Sequence, residues 1–393
     1  IFQGWCLLLK RSIFIVIAAL FAAFSARAYA VSDAPDTSAA SEIVMHSGGE
    51  VIYEKNADAK MKPASVTKVM TLLLVFQAID NKQYTLEDIV TVSEHAASMG
   101  GSQCFFEANE QQTVEDMIKC IIIASGNDAA VAMAEFTSGS EEAFVADMNN
   151  KARELGMENT TFKNACGLDA DGHETTARDI AIMSRELITR YPDIFNYTSI
   201  WTDTIIHKTR RGEKEFGLVN TNKFLRQYQG ATGLKTGYTS TAHYCISATA
   251  NRNGVKLIAV VMGADTKENR NTDAAKLLDY GFARCYAYTD KKILQKNDIK
   301  VLNGDREYVK MTSVSDFNAV LLNGEKAEDV KKELVLYDDE LKAPLKKGDC
   351  IGYVKYTVGD RTIGMVAVNT GEAVGEKTYM YGMQTMFEHI IRK

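Results

Sequence analysis

The chain has 393 residues, enough for two or three domains, and its 46% hydrophobic and 24% charged residues are typical of a soluble globular protein. The formal net charge is −6 and the basic residues are scattered, with no basic stripe interleaved with aromatic residues, which excludes a nucleic-acid-binding protein. No Cys-x-x-Cys and no His-Glu-x-x-His pattern occurs, so we expect no metal site and no cofactor.

The first thirty residues have the pattern of a secretory signal peptide. A basic pair at residues 10–11 precedes an apolar run over residues 12–24, and a small-x-small pattern ends at Ala30. The alternative is a transmembrane anchor, but the run is shorter than the roughly 20 apolar residues that span a bilayer. We therefore expect cleavage after Ala30, export to the cell envelope, and a flexible lead over residues 31–41.

Hydrophobic spacing and turn residues predict an α+β domain over residues 42–287. Its predicted elements, in chain order, are a hairpin (42–46 and 50–55), a buried helix (65–80), a helix–break–helix unit (113–136), a helix (176–190), strands (244–249 and 255–262) and a closing helix (271–286). The sequence beyond Pro192 is expected to be strand-like. Ser65 falls in the first turn of the buried helix, and Ser125-Gly126-Asn127 forms the break.

From residue 288 onward, short strand-like runs alternate with Asn-Gly and Gly-Asp turns. This pattern predicts a separate all-β domain over residues 288–382, which we interpret as a sandwich. The last segment, 383–393, has its large apolar residues on one helical face and ends in two basic residues. It is interpreted either as an amphipathic helix on an anionic membrane surface or as a helix packed on the β-domain.

Three short motifs stand in order along the predicted α+β domain: Ser65-Val66-Thr67-Lys68, Ser125-Gly126-Asn127 and Lys235-Thr236-Gly237. Each motif alone is a weak signal, because a serine three residues before a lysine occurs by chance in most proteins. Together they are the parts of a serine acyl-transfer site in which lysine replaces histidine as the base. Such a site needs a nucleophile, a base, oxyanion donors and groups that place the substrate.

Ser65 is the candidate nucleophile, and Lys68 is the candidate general base. At a helix start, the Ser65 hydroxyl lies near unpaired N–H groups and the positive end of the helix dipole. Lys68 is one turn further along the same face, so its amine can reach the Ser65 oxygen. The amine accepts a proton only if its pKa falls, which burial and a neighbouring cation, for which Lys235 is the candidate, both promote. Without the other motifs, the pair would be a helix-start serine beside a solvated lysine.

The break between the two apolar helical segments carries polar residues that we expect to face a cleft. Ser125 is the candidate proton relay to the leaving group. Asn127 is expected to hold the substrate backbone and Lys68. The alternative is an ordinary helix-to-helix turn, for which Ser-Gly-Asn is also suitable.

The third motif is predicted at the start of a strand. Lys235 supplies positive charge there, and Thr236 is expected to contact a substrate carboxylate. Gly237 has no side chain and therefore lets an extended substrate approach the strand edge. The backbone N–H groups of Tyr238 and Ser65 are the candidate oxyanion hole. The alternative is a surface turn.

The three motifs, in this order and spacing, resemble those of the penicillin-binding protein and serine β-lactamase superfamily, and more narrowly the low-molecular-mass D-alanyl-D-alanine carboxypeptidases. The stretches that carry the resemblance are 63–68, 125–130, 164–168 with His173 and 176–179, and 235–239. The resemblance covers nearly all of residues 40–390. It implies a β-lactamase/transpeptidase-like catalytic domain, in which helices pack on an antiparallel sheet, followed by a small all-β C-terminal domain.

The resemblance also implies a reaction and its partners. Ser65 attacks the peptide bond between the two terminal D-alanines of a peptidoglycan stem peptide, D-alanine leaves, and water hydrolyses the acyl-enzyme. β-Lactam antibiotics are expected to acylate the same serine. The family has an arginine beyond the third motif that helps to hold the terminal carboxylate; Arg270 matches its spacing, and Arg252 is the alternative.

Other positions bear on details of the resemblance. Tyr238 stands where some members have histidine, which concerns substrate preference. His173 and Asp179 fit the family pattern and are expected to hold their loop together.

Two further hypotheses stay open. A β-lactamase on the same scaffold would need a deacylating glutamate between the second and third motifs, but no Glu-x-x-Leu-Asn pattern occurs there and Glu174 stands in a different context. A catalytically silent wall-binding protein would be indicated by a broken motif, and none is broken.

Overall fold

The computed structural model describes residues 34–209, 212–294, 296, 298–338, 340–378, 383, 390 and 391. The predicted signal peptide, residues 1–30, lies outside this part of the chain. So does most of the predicted C-terminal segment, of which Met383, Ile390 and Ile391 are helical and exposed. Among the described residues, no helix combines the length and the apolar character needed to cross a membrane.

The strands occupy both halves of the chain. They are β1 (Ser41–His46), β2 (Val51–Lys55), β3 (Ile89–Thr91), β4 (Gln111–Thr113), β5 (Thr202–Thr209), β6 (Gly212–Val219), β7 (Ala231–Thr239), β8 (His243–Arg252), β9 (Val255–Ala264), β10 (Cys285–Asp290), β11 (Asp298–Leu302), β12 (Tyr308–Ser313), β13 (Phe317–Leu322), β14 (Val330–Leu336), β15 (Leu341–Lys342), β16 (Cys350–Val358) and β17 (Arg361–Thr370).

The α-helices lie in the N-terminal two thirds of the described chain. They are α1 (Lys68–Asp80), α2 (Glu94–Ala97), α3 (Val114–Lys119), α4 (Asn127–Ser138), α5 (Glu141–Glu154), α6 (Ala177–Arg190), α7 (Phe195–Thr198), α8 (Phe224–Gln227) and α9 (Lys267–Phe282). Short 3-10 turns occur at Ala64–Thr67, Pro192–Ile194 and Ala327–Asp329, and a π-helical turn occurs at Cys120–Ala124.

Five strands form an antiparallel sheet of order β2-β1-β9-β8-β7, which makes β7 an edge strand. Successive residues of a strand point to opposite faces of the sheet. In β9, residues 258, 260 and 262 join the apolar core that contains α1 and α6, whereas residues 257, 259 and 261 join the core that contains α9. Helices therefore cover both faces of this sheet.

Helix α1 is apolar around its whole circumference, a pattern typical of a helix at the centre of a protein. Residues 68–76 are all buried, and α1 packs against α4, α5 and α6. The 3-10 turn Ala64–Thr67 leads directly into α1 and packs against β7. The first motif therefore lies where the helical layer meets the edge of the sheet.

The prediction that Lys235-Thr236-Gly237 stands at the start of a strand running on to residues 244–249 is wrong. The motif lies inside β7, and residues 240–242 turn the chain into β8, which pairs antiparallel with β7. Periodicity does not identify β7 because Gly233 and Gly237 interrupt its alternation of apolar and polar residues.

Two other predicted elements are shifted. Thr266 accepts a hydrogen bond from the backbone N–H of Asn269 at 3.0 Å and so starts α9 four residues before the predicted helix. Helix α9 ends at Phe282, and the predicted last residues of the helix belong instead to β10, which pairs with β13. Residues 192–198, expected to be strand-like, form two short helical turns before β5.

The C-terminal part consists of strands. Six of them form a sheet of order β14-β16-β17-β12-β11-β15, and β10 and β13 form a separate pair. Phe317 of β13 stacks on Tyr356 of β16 with the ring centroids 3.6 Å apart, within a shared apolar core. The predicted domain limits, 42–287 and 288–382, stay predictions.

The last residues of the segment predicted as a flexible lead, 38–41, contact the α+β domain. The backbone N–H groups of Ser38 and Ala39 donate to the Asp273 carboxylate at 3.0 and 2.9 Å, and Ser41 begins β1. Residues 38–41 are therefore held by hydrogen bonds to α9 and by strand pairing.

Candidate active site

Ser65 and Lys68 face each other at the junction between the 3-10 turn and α1. Lys68 Nζ lies 3.0 Å from Ser65 Oγ, as the spacing of three residues predicts. Lys68 is wholly buried, while Ser65 keeps some exposure. Burial lowers the pKa of the Lys68 amine to about 8, because removal from water disfavours the charged form. The amine is therefore available as a base near neutral pH.

Two further acceptors hold the Lys68 amine. Asn127 Oδ1 accepts a hydrogen bond from Nζ at 2.6 Å, and the backbone carbonyl of Cys166 accepts one at 2.7 Å. The expected contact between Asn127 and Lys68 is thus present. The contact with Cys166 is not predictable from residue types, because every residue has a carbonyl group.

The second motif is placed by an irregular stretch of helix. Helix α3 continues into the π-helical turn Cys120–Ala124, and Ser125 then adopts a left-handed conformation with φ 61° and ψ 30°. Two carbonyl groups of this π-helical turn accept hydrogen bonds from outside the regular helix pattern. Cys120 O accepts from Gly126 N, and Ile123 O accepts from Thr221 N, both at 3.0 Å. π-Turns and left-handed non-glycine residues concentrate at functional sites. Here they turn the Ser125 side chain towards β7.

The loop before the second motif fixes Asn127. The carbonyl of Gly100 accepts from Asn127 Nδ2, and the carbonyl of Ser102 accepts from the Asn127 backbone N–H, both at 2.7 Å. Asp128 is buried and accepts hydrogen bonds from the backbone of Cys104 at 2.9 Å, which holds the loop in place. Sequence reasoning missed the part played by Asp128; its position directly after the motif was the available signal.

Lys235 reaches from β7 to the second serine. Its Nζ donates to Ser125 Oγ at 2.8 Å and to the carbonyl of Thr236 at 3.0 Å. Burial is the main cause that lowers the pKa of Lys235 well below its ordinary value, and the charges of Lys68 and Arg270 lower it further. The charge of Lys68 thus acts on Lys235, whereas at Lys68 burial lowers the pKa and the neighbouring Cys166, Asp128 and Cys104 raise it. The expectation that Lys235 lowers the pKa of Lys68 stays a prediction.

Gly237 lies against the 3-10 turn Ala64–Thr67, which carries Ser65. A Cβ atom at this position would be 2.9 Å from the backbone nitrogen of Ser65 and 3.1 Å from that of Val66. Only glycine fits without moving the turn, which explains the residue type on structural grounds. The next residue, Tyr238, is exposed, and its ring packs 4.4 Å from the ring of Tyr244.

Arg270 and its alternative Arg252 are in different settings. Arg270 is buried in the first turn of α9, donates to Asn271 Oδ1 at 2.9 and 3.0 Å, and lies close enough to Lys235 to lower its pKa. Arg252 instead pairs with Asp279 at 2.9 Å. The structure brings Arg270, rather than Arg252, to the motif residues.

His173 and Asp179 hold the loop that crosses the site. His173 Nδ1 accepts from the backbone N–H of Lys163 at 3.3 Å, so that Nε2–H donates to Thr67 Oγ1 at 3.0 Å. Burial lowers the pKa of His173 to about 4. Asp179 accepts from the hydroxyl of Thr160 at 2.7 Å. Neither residue contacts Ser65 or Lys68, which agrees with a role in the loop.

These features together define a class of protein: serine acyl-transfer enzymes of the α+β fold in which a buried lysine stands beside the nucleophile. Comparison with known proteins identifies the family. The pattern of the family described as D-alanyl-D-alanine carboxypeptidase matches residues 28–266, and that of the penicillin-binding protein 5 C-terminal domain matches residues 288–376.

Individual relatives agree over most of the chain. D-alanyl-D-alanine carboxypeptidase DacF of Bacillus subtilis (strain 168) is 41% identical over 348 residues, covering 86% of this chain and 87% of that protein. DacC of Escherichia coli (strain K12) is 35% identical over 362 residues, covering 88% and 86%. The crystal structure of penicillin binding protein 5 from Haemophilus influenzae matches with a TM-score of 0.68 and 31% identity, covering 87% of this chain and 99% of that one.

The chain therefore belongs to the D-alanyl-D-alanine carboxypeptidase family. The predicted family, the α+β catalytic fold followed by a β-rich C-terminal domain, and the enzyme class are confirmed. The roles of individual site residues stay predictions.

Proposed function

We propose that the protein removes the terminal D-alanine from peptidoglycan stem pentapeptides through an acyl-enzyme on Ser65. The observation that carries the proposal is the 3.0 Å separation between Ser65 Oγ and the Nζ of Lys68, an amine buried deeply enough that its pKa is about 8. A hydroxyl and a base in this relation can carry out covalent catalysis. The names of the relatives support the choice of substrate.

In the acylation step, neutral Lys68 accepts the Ser65 proton while Ser65 Oγ bonds to the carbonyl carbon. The N–H groups of Ser65 and Tyr238 stabilise the oxyanion. When the C–N bond breaks, the D-alanine nitrogen receives a proton from the Ser125 hydroxyl, and Ser125 is reprotonated by Lys235, its partner at 2.8 Å. Lys68 then returns its proton through water to Lys235.

In the deacylation step, water replaces the amine. Lys68 accepts a proton from the water as its oxygen bonds to the acyl carbon, and Ser65 Oγ recovers a proton as the ester bond breaks. The products are the shortened stem peptide, with a new carboxylate, and the free enzyme.

The positive groups of Lys235 in β7 and Arg270 in α9 recognise the terminal carboxylate of the substrate. Lys235 and Arg270 are both buried, and the Arg270 charge acts on Lys235. A carboxylate placed between them relieves this repulsion, and the Thr236 hydroxyl is available as an additional donor. The substrate backbone extends along the free edge of β7 past Gly237.

The proposal includes β-lactam binding and is tested with a fluorescent penicillin. Label on Ser65, located by peptide mapping and lost in Ser65→Ala, is expected, together with release of D-alanine from a stem pentapeptide. Folded protein that shows neither result would refute the proposal. Label without released D-alanine would favour a silent wall-binding protein, and rapid turnover of nitrocefin would favour a β-lactamase.

The proposal extends to location. A signal peptide over residues 1–30 would export the enzyme to the wall that holds its substrate. The segment 383–393 is proposed to lie on an anionic membrane surface, which the exposure of Met383, Ile390 and Ile391 supports. Sedimentation with anionic and with neutral vesicles tests this, using a variant that ends at residue 382 as the control. Equal sedimentation of both proteins would contradict membrane binding.

A further inference from the structure

The carbonyl oxygen of Cys166 affects the direction in which the Lys68 amine acts. A neutral amine has two N–H bonds and one lone pair. Its nearest partners are Asn127 Oδ1 at 2.6 Å, Cys166 O at 2.7 Å and Ser65 Oγ at 3.0 Å. The first two partners have no proton to give, so they accept the N–H bonds. The lone pair is then left to face the Ser65 hydroxyl.

The side chain of Asn164 organises the turn that carries this carbonyl. Asn164 Oδ1 accepts from the backbone N–H groups of Cys166, Gly167 and Leu168 at 3.3, 2.7 and 3.2 Å. Asn164 Nδ2 donates back to the carbonyl of Leu168 at 2.9 Å. One amide group therefore makes four hydrogen bonds to backbone groups of the turn 166–168, in the manner by which asparagine side chains commonly replace backbone partners in turns.

This turn is packed directly against the nucleophile. Gly167 has φ +87°, and a Cβ atom there would lie 1.9 Å from the carbonyl oxygen of Ala64, the residue before Ser65. On the other side, the Thr71 hydroxyl of α1 donates to the carbonyl of Ala165 at 2.5 Å. A displacement of the turn therefore changes the position of the Cys166 carbonyl relative to both Ser65 and Lys68.

We propose that Asn164 is a positioning residue for acylation: its side-chain amide fixes the Cys166 carbonyl, and this carbonyl directs the Lys68 lone pair at Ser65. Asn164 touches none of the reacting atoms and acts only through the turn. The inference rests on the proposed function, since it concerns the base of that reaction. The inference can be tested without the proposed peptide substrate, because the rate at which penicillin acylates Ser65 depends on the same base.

The chain offers a matched control in Asn149. Like Asn164, it is half-buried and uses both ends of its amide on backbone: Oδ1 accepts from Phe162 N at 2.8 Å, and Nδ2 donates to Phe162 O at 3.0 Å. It thus ties helix α5 to the same loop at Phe162, four residues before Cys166. Loss of Asn149 should destabilise the loop but leave the Cys166 carbonyl in its contact with the Lys68 amine.

The experiment compares the whole chain with Asn164→Ala, Asn164→Asp and Asn149→Ala. The second-order rate of Ser65 acylation by fluorescent penicillin and the Tm are measured for each protein. For Asn164→Ala we expect a rate loss on the order of 10²-fold, the size that a displacement of about 1 Å in a reacting group produces. Asn149→Ala should lower the Tm comparably but change the rate by less than about threefold. Asn164→Asp keeps the acceptor oxygen and should recover most of the rate on the alkaline side of the acid limb, where Lys68 is neutral in both proteins.

The pH profile of acylation separates positioning from simple loss of structure. The ionisable and charged groups that face Lys68 are Cys104, Asp128, Cys166 and Lys235, and all four proteins share them. Asn164→Asp adds a negative charge near Lys68, so its acid limb should move to higher pH. If Asn164→Ala loses no more rate than Asn149→Ala at an equal loss of Tm, the positioning role is overturned. Unlabelled wild-type protein would instead refute the proposed function.

Discussion

The amine of Lys235 donates to the hydroxyl of Ser125 at 2.8 Å, while the other buried amine, that of Lys68, lies 3.0 Å from Ser65. Each of the two lysines of the site is thus hydrogen-bonded to a different serine. In the proposed mechanism, this separation gives each serine its own proton partner: Lys68 for the attack of Ser65 on the substrate, and Lys235 for the departure of the amine through Ser125. A single lysine would have to serve both steps.

We therefore predict that Ser125→Ala lowers kcat for D-alanine release by about 10²-fold or more, the usual size of a general-acid contribution. The loss should be smaller for acylation by a β-lactam with an activated ring, because its leaving nitrogen needs less help. Ser199→Ala is the control, since Ser199 is exposed and its hydroxyl donates to the carbonyl of Phe195 at 3.0 Å. An unchanged kcat in Ser125→Ala would contradict the relay.

The rate of acylation should depend on pH through Lys68. Burial lowers the pKa of this amine to about 8, and only the neutral form accepts the Ser65 proton. Below pH 8, kcat/KM for D-alanine release should therefore fall about tenfold for each pH unit. Lys68→Arg stays protonated at all these pH values and should be inactive, whereas Lys256→Arg on an exposed position of β9 should match the wild type. A flat profile between pH 6 and 8 would contradict Lys68 as the base.

Part of this site follows from local sequence. The spacing of three residues in Ser65-Val66-Thr67-Lys68 places both side chains on one face of a helical turn, and the structure has them within hydrogen-bond distance. The hairpin of β1 and β2 follows from two apolar strands around Ser-Gly-Gly, and α1 follows from its continuous apolar surface. The Ser65–Lys68 turn and the hairpin are determined by forces between residues close in the chain. The apolar surface of α1 predicts a buried helix, and α4, α5 and α6 cover it.

The rest depends on contacts between distant segments. Cys166 meets Lys68 across 98 positions through a carbonyl that any residue would offer, so residue type carries no signal. The π-turn before Ser125 is stabilised by Thr221, which lies far along the chain. The strand β7 is recognisable only by its pairing with β8, because its glycines lower its strand propensity. Gly237 lies against the Ser65 turn, and Gly233 lies against Thr198 and Thr249.

Gly237 should tolerate no side chain. In Gly237→Ala, the new Cβ would lie 2.9 Å from the backbone nitrogen of Ser65, so either the 3-10 turn Ala64–Thr67 or β7 must shift. We expect a loss of acylation rate on the order of 10²-fold, because the Ser65 N–H belongs to the proposed oxyanion hole. Gly217→Ala in β6 is the control, since no atom lies within 4 Å of its new Cβ. Equal acylation rates in the two variants would refute the close contact.

His173 should make the fold sensitive to acid. Burial lowers its pKa to about 4 in the folded protein, whereas the unfolded chain titrates near 6.5. The unfolded state therefore binds more protons between these values, and the free energy of unfolding should fall as the pH drops from 6.5 to 4, by about 3 kcal/mol at most. Urea unfolding of wild type and His173→Gln at pH 7 and pH 4.5 measures this.

Glutamine keeps one donor and one acceptor for Thr67 and Lys163 but does not titrate, so His173→Gln should lose less stability between the two pH values than the wild type. His243→Gln changes an exposed histidine and should lose as much as the wild type. If His173→Gln and the wild type lose the same free energy, the acid sensitivity comes from other groups. A smaller loss in His173→Gln alone would locate the acid sensitivity in the protonation of His173.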